Sequence, residues 1–82
     1  MENTDRFIIK SYERWRLGKL YFPNNTPDRA QRRLMECIRR YPGLSESLME
    51  TGFDFRKRIF IPVQVSLIVK ALGTPLSYTE EP

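Results

Sequence analysis

The segment from Thr26 to Tyr41 most constrains the fold, because it combines helix-start signals with a helical hydrophobic repeat. Thr26 is a favoured N-cap residue, Pro27 suits the first helical position, and Asp28 places negative charge at the positive end of the helix dipole. The apolar residues that recur at helical spacing are Ala30, Leu34, Cys37, Ile38 and Tyr41. We therefore predict an amphipathic helix that ends before Pro42.

The opposite face of this predicted helix is nearly all basic. It carries Arg29, Arg32, Arg33, Glu36 and Arg40, with Arg39 at its edge. Such a face suits the major groove of DNA, where arginine binds phosphates and guanine edges. The alternative is an ordinary solvated helix face, since exposed helix faces are expected to be charged. The scarcity of acidic residues favours binding, because a solubilising face usually mixes both signs.

A second basic cluster lies between two groups of apolar residues in the segment from Phe53 to Phe60. The pattern predicts a small β hairpin with Arg56, Lys57 and Arg58 at its tip. A tip of this kind contacts phosphates as a wing does, whereas the alternative is a charged turn between two strands.

The remaining segments are short and are bounded by proline and glycine. We predict a strand or extended arm at 7–9, a helix around 15–21 that Gly18 weakens, a helix at 44–51, and a last helix that begins at Pro62 and ends at Gly73. The residues predicted to form the core are Leu34, Ile38, Val65, Ile68 and Leu72. The predicted fold class is mostly α with a small β hairpin, a winged helix-turn-helix-like single domain over 1–75 with a frayed tail at 76–82.

Composition excludes several function classes for these 82 residues. The single cysteine, Cys37, and the absence of histidine exclude intramolecular disulfides and the commonest zinc and general-base chemistry. Cys37 lies on the apolar stripe, so we expect a buried, unreactive thiol, and Glu46 and Glu50 read as a solvated helix face. We predict no catalytic activity, no metal site and no cofactor.

The expected location is the cytoplasm, and no membrane association is expected. A lone cysteine suits a reducing compartment, the first residues are acidic and polar, and no apolar run approaches the ~20 residues that span a bilayer. Fourteen Lys and Arg against ten Asp and Glu give a net charge of +4. This excess favours a nucleic acid or an acidic protein surface as the partner.

Most of the chain resembles an uncharacterised family of short bacterial proteins, catalogued as a domain of unknown function. The stretches that carry the resemblance are 7–12, 20–23, 30–34, 52–53, 60–69 and 72–75. The layout is also remotely similar to the winged helix-turn-helix of mercury-resistance-type (MerR) regulators and phage excisionases. Thr26-Pro27, Gly52-Phe53 and Ile61-Pro62 occupy the places of its helix start, wing and last helix. The chain departs from that layout in a longer turn at 22–26 and an additional helix at 44–51.

The remote similarity to the winged helix-turn-helix layout and the two basic clusters together imply duplex DNA binding, in a transcriptional or mobile-element regulator. The residues predicted to contact DNA are Arg29, Arg32, Arg33, Arg40, Arg56, Lys57 and Arg58. The alternative is a protein-interaction module that docks an acidic or hydrophobic partner through the same arginines or through an apolar patch near Trp15 and Tyr12. The oligomeric state stays open, since no heptad repeat is present.

Overall fold

The structure, a computed structural model, describes residues 7–75 as four helices and one pair of short strands. The predicted frayed tail at 76–82 lies outside the described residues. In chain order the elements are β1 (Tyr12–Glu13), α1 (Arg14–Tyr21), α2 (Pro27–Arg40), α3 (Leu44–Glu50), β2 (Ile59–Phe60) and α4 (Pro62–Leu72). The predicted fold class, mostly α with a small β hairpin, is confirmed, since the two short strands pair antiparallel.

Local signals in the sequence place the ends of α2. The Thr26 hydroxyl oxygen accepts a hydrogen bond from the backbone N–H of Arg29 at 3.3 Å, and Pro27 begins the helix. Asp28 lies in the first turn, and Arg39 and Arg40 lie in the last turn, as the helix dipole favours. The start and end predicted for this helix are confirmed.

The strand pairing differs from the predicted hairpin. β2 pairs antiparallel with β1, with Tyr12 opposite Phe60 and Glu13 opposite Ile59. The predicted local hairpin over 53–60 is therefore wrong, and β1 begins later than the strand predicted at 7–9. The physical reason is the local hydrogen bonding of Asp54, whose carbonyl oxygen accepts from the N–H of Lys57 at 3.0 Å and closes a turn.

The hydrophobic core draws on every helix and on both strands. The fully buried side chains include Leu17 of α1, Leu34 and Ile38 of α2, Leu48 of α3, Phe60 of β2, and Val65 and Ile68 of α4. Four of the five predicted core residues are thus confirmed, while Leu72 is only partly buried against this cluster. Tyr41 was expected on the buried stripe of α2, and that expectation is wrong, because its side chain is 44% exposed where the helix ends.

Met35 is buried although it lies outside the predicted stripe. It shares a row of α2 with Gln31 and Arg39, which lie four residues before and after it. Gln31 accepts a hydrogen bond from Arg14, and the Arg39 guanidinium lies 5.2 Å from the centre of the Phe55 ring. The segment around Phe55 therefore covers this flank of the helix, which widens the buried face beyond the expected stripe.

Candidate nucleic-acid interface

The arginine face of α2, which we define as Arg29, Arg32, Arg33 and Arg40, is exposed. Arg32 Nη2 lies 3.2 Å from an Asp28 carboxylate oxygen, but the two side chains are 74% and 75% exposed, so the ion pair is weak. The Arg33 guanidinium lies 5.1 Å from the centre of the Phe22 ring. All four predicted helix residues are thus accessible to a ligand from solvent.

The second predicted cluster, Arg56, Lys57 and Arg58, is also exposed. It belongs to what we call the basic turn, residues 54–58. An Asp54 carboxylate oxygen accepts from the Arg56 N–H at 2.7 Å, which shapes the turn from within. The three cations therefore lie on a tight loop and not at the tip of a hairpin.

Arg14 fastens the basic turn to the helices. Its Nη1 donates to the carbonyl oxygens of Phe55 and Lys57 at 2.9 and 3.0 Å, and its Nε donates to Gln31 Oε1 on α2 at 3.3 Å. Its backbone N–H donates to the carbonyl of Arg58 at 2.7 Å. One residue at the start of α1 therefore joins the basic turn to the flank of the arginine helix.

Two other arginines, Arg58 and Arg39, lie close enough to Arg14 to affect its pKa. Burial lowers the pKa of the Arg14 guanidinium, and the positive charges of Arg58 and Arg39 lower it further. Arg39, which the sequence placed only at the edge of the face, therefore lies beside the basic turn. Sequence reasoning did not select Arg14, because a contact between residues 14 and 57 leaves no local pattern.

The structure does not place all predicted cations on one flank. Arg33 and Arg39 are six residues apart, so at about 100° per residue they point to different flanks of α2. Arg39 lies over Phe55 beside the basic turn, whereas Arg33 lies over Phe22 on the other side. The basic surface therefore wraps around the helix and meets the basic turn along one edge.

Cys37 is less buried than the sequence indicated. Its thiol is half-buried and lines a cavity of about 270 Å³ together with Tyr21, Phe22, Leu72 and Thr74. The expectation of a fully buried thiol is thus corrected. The reason is the partial exposure of Leu72 and Phe22, which leaves this side of the core open.

Residues 7–75 contain neither a metal site nor a membrane-spanning helix. No group of three or more His, Cys, Asp and Glu side chains there is placed to hold a metal ion. Across the same residues, the helices are all too short or too polar to cross a bilayer.

These features define a small, mostly helical domain with an exposed basic surface on α2 and the turn beside it. The family model that matches the chain is described as a domain of unknown function (DUF4248) and covers residues 8–75, so the chain belongs to this family. No curated protein and no solved structure matches the chain. The resemblance to an uncharacterised family is confirmed, and the winged helix-turn-helix layout stays a prediction.

Proposed function

We propose that this protein is a cytoplasmic DNA-binding regulator of helix-turn-helix type, which contacts duplex DNA through the arginine face of α2 and the basic turn. The observation that supports this most is the anchoring of the basic turn by Arg14. Its guanidinium donates to the carbonyls of Phe55 and Lys57 and to the side chain of Gln31 at once, so the basic turn lies beside one flank of α2 although the two are far apart in sequence. Phosphate groups repeat along a duplex, and a surface of this shape can neutralise several of them together.

The dimensions of α2 suit this role. Its 14 residues span about 21 Å, and an α-helix fits the major groove, which is about 12 Å wide. Residues 22–26 connect α2 to α1, which packs against it as the first helix of such a motif does. The basic turn replaces the wing of the predicted layout. Bidentate arginine contacts provide both phosphate binding and guanine recognition.

Salt dependence tests the proposal directly. Each phosphate contact releases counterion, so log affinity for duplex DNA falls against log salt with a slope of about −0.9 per contact. We expect roughly three to six contacts, because the cations cannot all face one backbone at once. Replacing Arg56, Lys57 and Arg58 by alanine is expected to flatten the slope by about one to three contacts, measured by fluorescence anisotropy. The absence of duplex binding at low salt would overturn the proposal.

A charge-matched pair of variants separates specific contacts from net charge. Arg33→Glu on the arginine face and Lys70→Glu on α4 change the net charge equally, and both side chains are exposed. We expect Arg33→Glu to weaken duplex binding several-fold more than Lys70→Glu, while both keep the circular dichroism spectrum of the parent. Equal effects would show that only overall charge matters.

A second function, docking of an acidic or hydrophobic protein partner, is favoured by one observation. Ile59, Ile61 and Val63 around the start of α4 are 50%, 43% and 49% exposed. Neighbouring apolar side chains at the surface are typical of protein interfaces. This function predicts duplex affinity no tighter than ~10⁻⁴ to 10⁻⁶ M at physiological salt. It also predicts that Arg33→Glu and Lys70→Glu bind DNA alike.

A further inference from the structure

A small cavity lies where α1, α2 and the two strands meet, at the edge of the basic turn. We call it the Trp15 notch. Its volume is about 220 Å³, and it is lined by Glu13, Trp15, Gln31, Arg58 and Ile59. Pockets for drug-sized ligands are larger, ~300 to 1,000 Å³. The notch therefore suits a single small planar group and not an extended ligand.

The indole of Trp15 is held in place although it faces solvent. Its Nε1 donates to a Glu13 carboxylate oxygen at 2.8 Å, and the Arg16 guanidinium lies 4.8 Å from the ring centre. Even so, the side chain is 37% exposed. Aromatic residues in a domain this small usually cover the core. A tryptophan fixed at the surface is a stacking platform that needs little ordering when a ligand binds.

The polar walls of the notch complement a nucleotide. The Glu13 carboxylate already accepts from Trp15 Nε1 and can accept a further hydrogen bond from an exocyclic amino group, as carboxylates do from cytosine. Gln31 contributes an amide that is only partly buried. Arg58 is exposed next to the cation of Arg14, and among residues 7–75 its guanidinium has no acceptor or acidic partner within bonding distance. A phosphate beside Arg58 would relieve this repulsion.

We propose that the Trp15 notch receives one unpaired base of the bound DNA. The base stacks on Trp15, its amino group meets Glu13, and its phosphate lies on Arg58. The chemistry favours a base with an exocyclic amino group, such as cytosine or adenine. This inference rests on the proposed function and refines its substrate class: a duplex that carries an unpaired nucleotide.

Two duplexes of matched sequence test the inference, one fully paired and one with a single unpaired cytosine. Trp15 is the only tryptophan of the chain, so quenching of its fluorescence reports stacking directly in the unmodified protein. We expect quenching by the duplex with the unpaired cytosine, and a tighter affinity for it by about 5- to 150-fold, the range of one base stacked on an aromatic ring. Trp15→Ala is expected to abolish this preference. Tyr41→Ala, which truncates another exposed aromatic outside the notch, is expected to keep it.

The outcomes separate this inference from the proposed function. Equal affinity for the two duplexes without quenching would overturn the notch and leave duplex binding in place. Binding of neither duplex at low salt would overturn both. Quenching is measured on the full unmodified chain, so the inference is decided even where Trp15→Ala fails to fold.

Discussion

Gly18 in α1 lies directly against the backbone of Ala30 in α2. A Cβ atom on Gly18 would be 2.8 Å from the Ala30 carbonyl carbon and equally close to the Cα and N atoms of Gln31. Real Cβ atoms essentially never approach backbone this closely. The sequence alone presents Gly18 as a weak point of a short helix, but the structure shows that it allows α1 and α2 to pack at close range.

Gly18→Ala therefore tests the packing of α1 on α2. At an open helix position, alanine stabilises by ~1 kcal/mol relative to glycine. Here we expect the opposite sign, a loss of about 1 to 3 kcal/mol in the free energy of unfolding, because backbone has to move. Urea denaturation measures the change. Ser66→Ala on the exposed face of α4 serves as the control and should stay within about 0.5 kcal/mol. Stabilisation by Gly18→Ala would contradict the close approach.

Leu34 and Ile68 lie at the centre of the core, and neither is exposed at all. Truncating either to alanine removes buried methyl groups and leaves a cavity. We expect Leu34→Ala and Ile68→Ala each to lower the free energy of unfolding by roughly 2 to 5 kcal/mol. Val63→Ala removes an apolar side chain that is 49% exposed and is expected to cost less than about 1 kcal/mol. Losses below about 1 kcal/mol at both core sites would mean that the helix registers are wrong.

Gln64 is the one polar side chain buried among the described residues, at 3% exposure. Its Oε1 accepts from the backbone N–H of Ile61 at 3.0 Å, and its Nε2 donates to the Thr51 hydroxyl oxygen at 2.8 Å. Ile61 is the N-cap of α4, and its side chain has no oxygen to cap the helix. Gln64 therefore provides the hydrogen-bond acceptor for the N-cap N–H of α4 and connects this helix to Thr51, the C-cap residue of α3.

Gln64→Leu is expected to lower the free energy of unfolding by about 1 to 3 kcal/mol, because the Ile61 N–H loses its acceptor. Thr51→Val removes the other partner. The two changes together should cost less than the sum of the single losses, with a coupling of about 0.5 kcal/mol or more in a double-mutant cycle. Strict additivity would show that the contact between Gln64 and Thr51 contributes nothing.

Tyr21 makes stability depend on pH in the alkaline range. Its hydroxyl donates to the carbonyl of Gly73 at the end of α4. Burial raises the pKa of this hydroxyl above its ordinary value of 10.0, and the neighbouring Cys37 raises it further. Because the pKa of Tyr21 is higher in the folded than in the unfolded chain, the protonated hydroxyl contributes fully to the free energy of unfolding below pH 10. This contribution is lost as pH rises above 10, where the unfolded chain releases the proton more readily.

Thermal unfolding of the wild type and Tyr21→Phe across pH 8 to ~11.5 tests this dependence. We expect the wild type to lose stability above about pH 10, by at most ~1 kcal/mol per pH unit since the ring is partly exposed. Tyr21→Phe should be less stable at pH 8, where the hydrogen bond is missing, and should decline less steeply. Parallel curves would show that Tyr21 does not titrate differently on folding.

The sequence by itself determined the helices, because their signals are local. Thr26 and Pro27 start α2, and the repeat of Ala30, Leu34 and Ile38 orients it, since capping and helical spacing act within a few residues. The same spacing determined that the arginine face is exposed. Only the tertiary structure decided where the basic turn lies. Its position depends on contacts between the start of α1 and residues 55–58, and contacts so distant in sequence leave no periodic pattern.

The strand pairing and the role of Gly18 were decided in the same way. The segment 53–60 looked like a local hairpin because its ends are apolar, but Phe60 pairs with Tyr12 once the helices have brought the two strands together. In the sequence, Gly18 only weakens the predicted helix around 15–21. Its role in packing is visible only in the fold, because it depends on Ala30, twelve residues away in another helix. Helix and strand propensities depend on residues within one segment. Which segments pair or pack against each other depends on contacts between residues far apart in sequence, and those contacts form only in the folded chain.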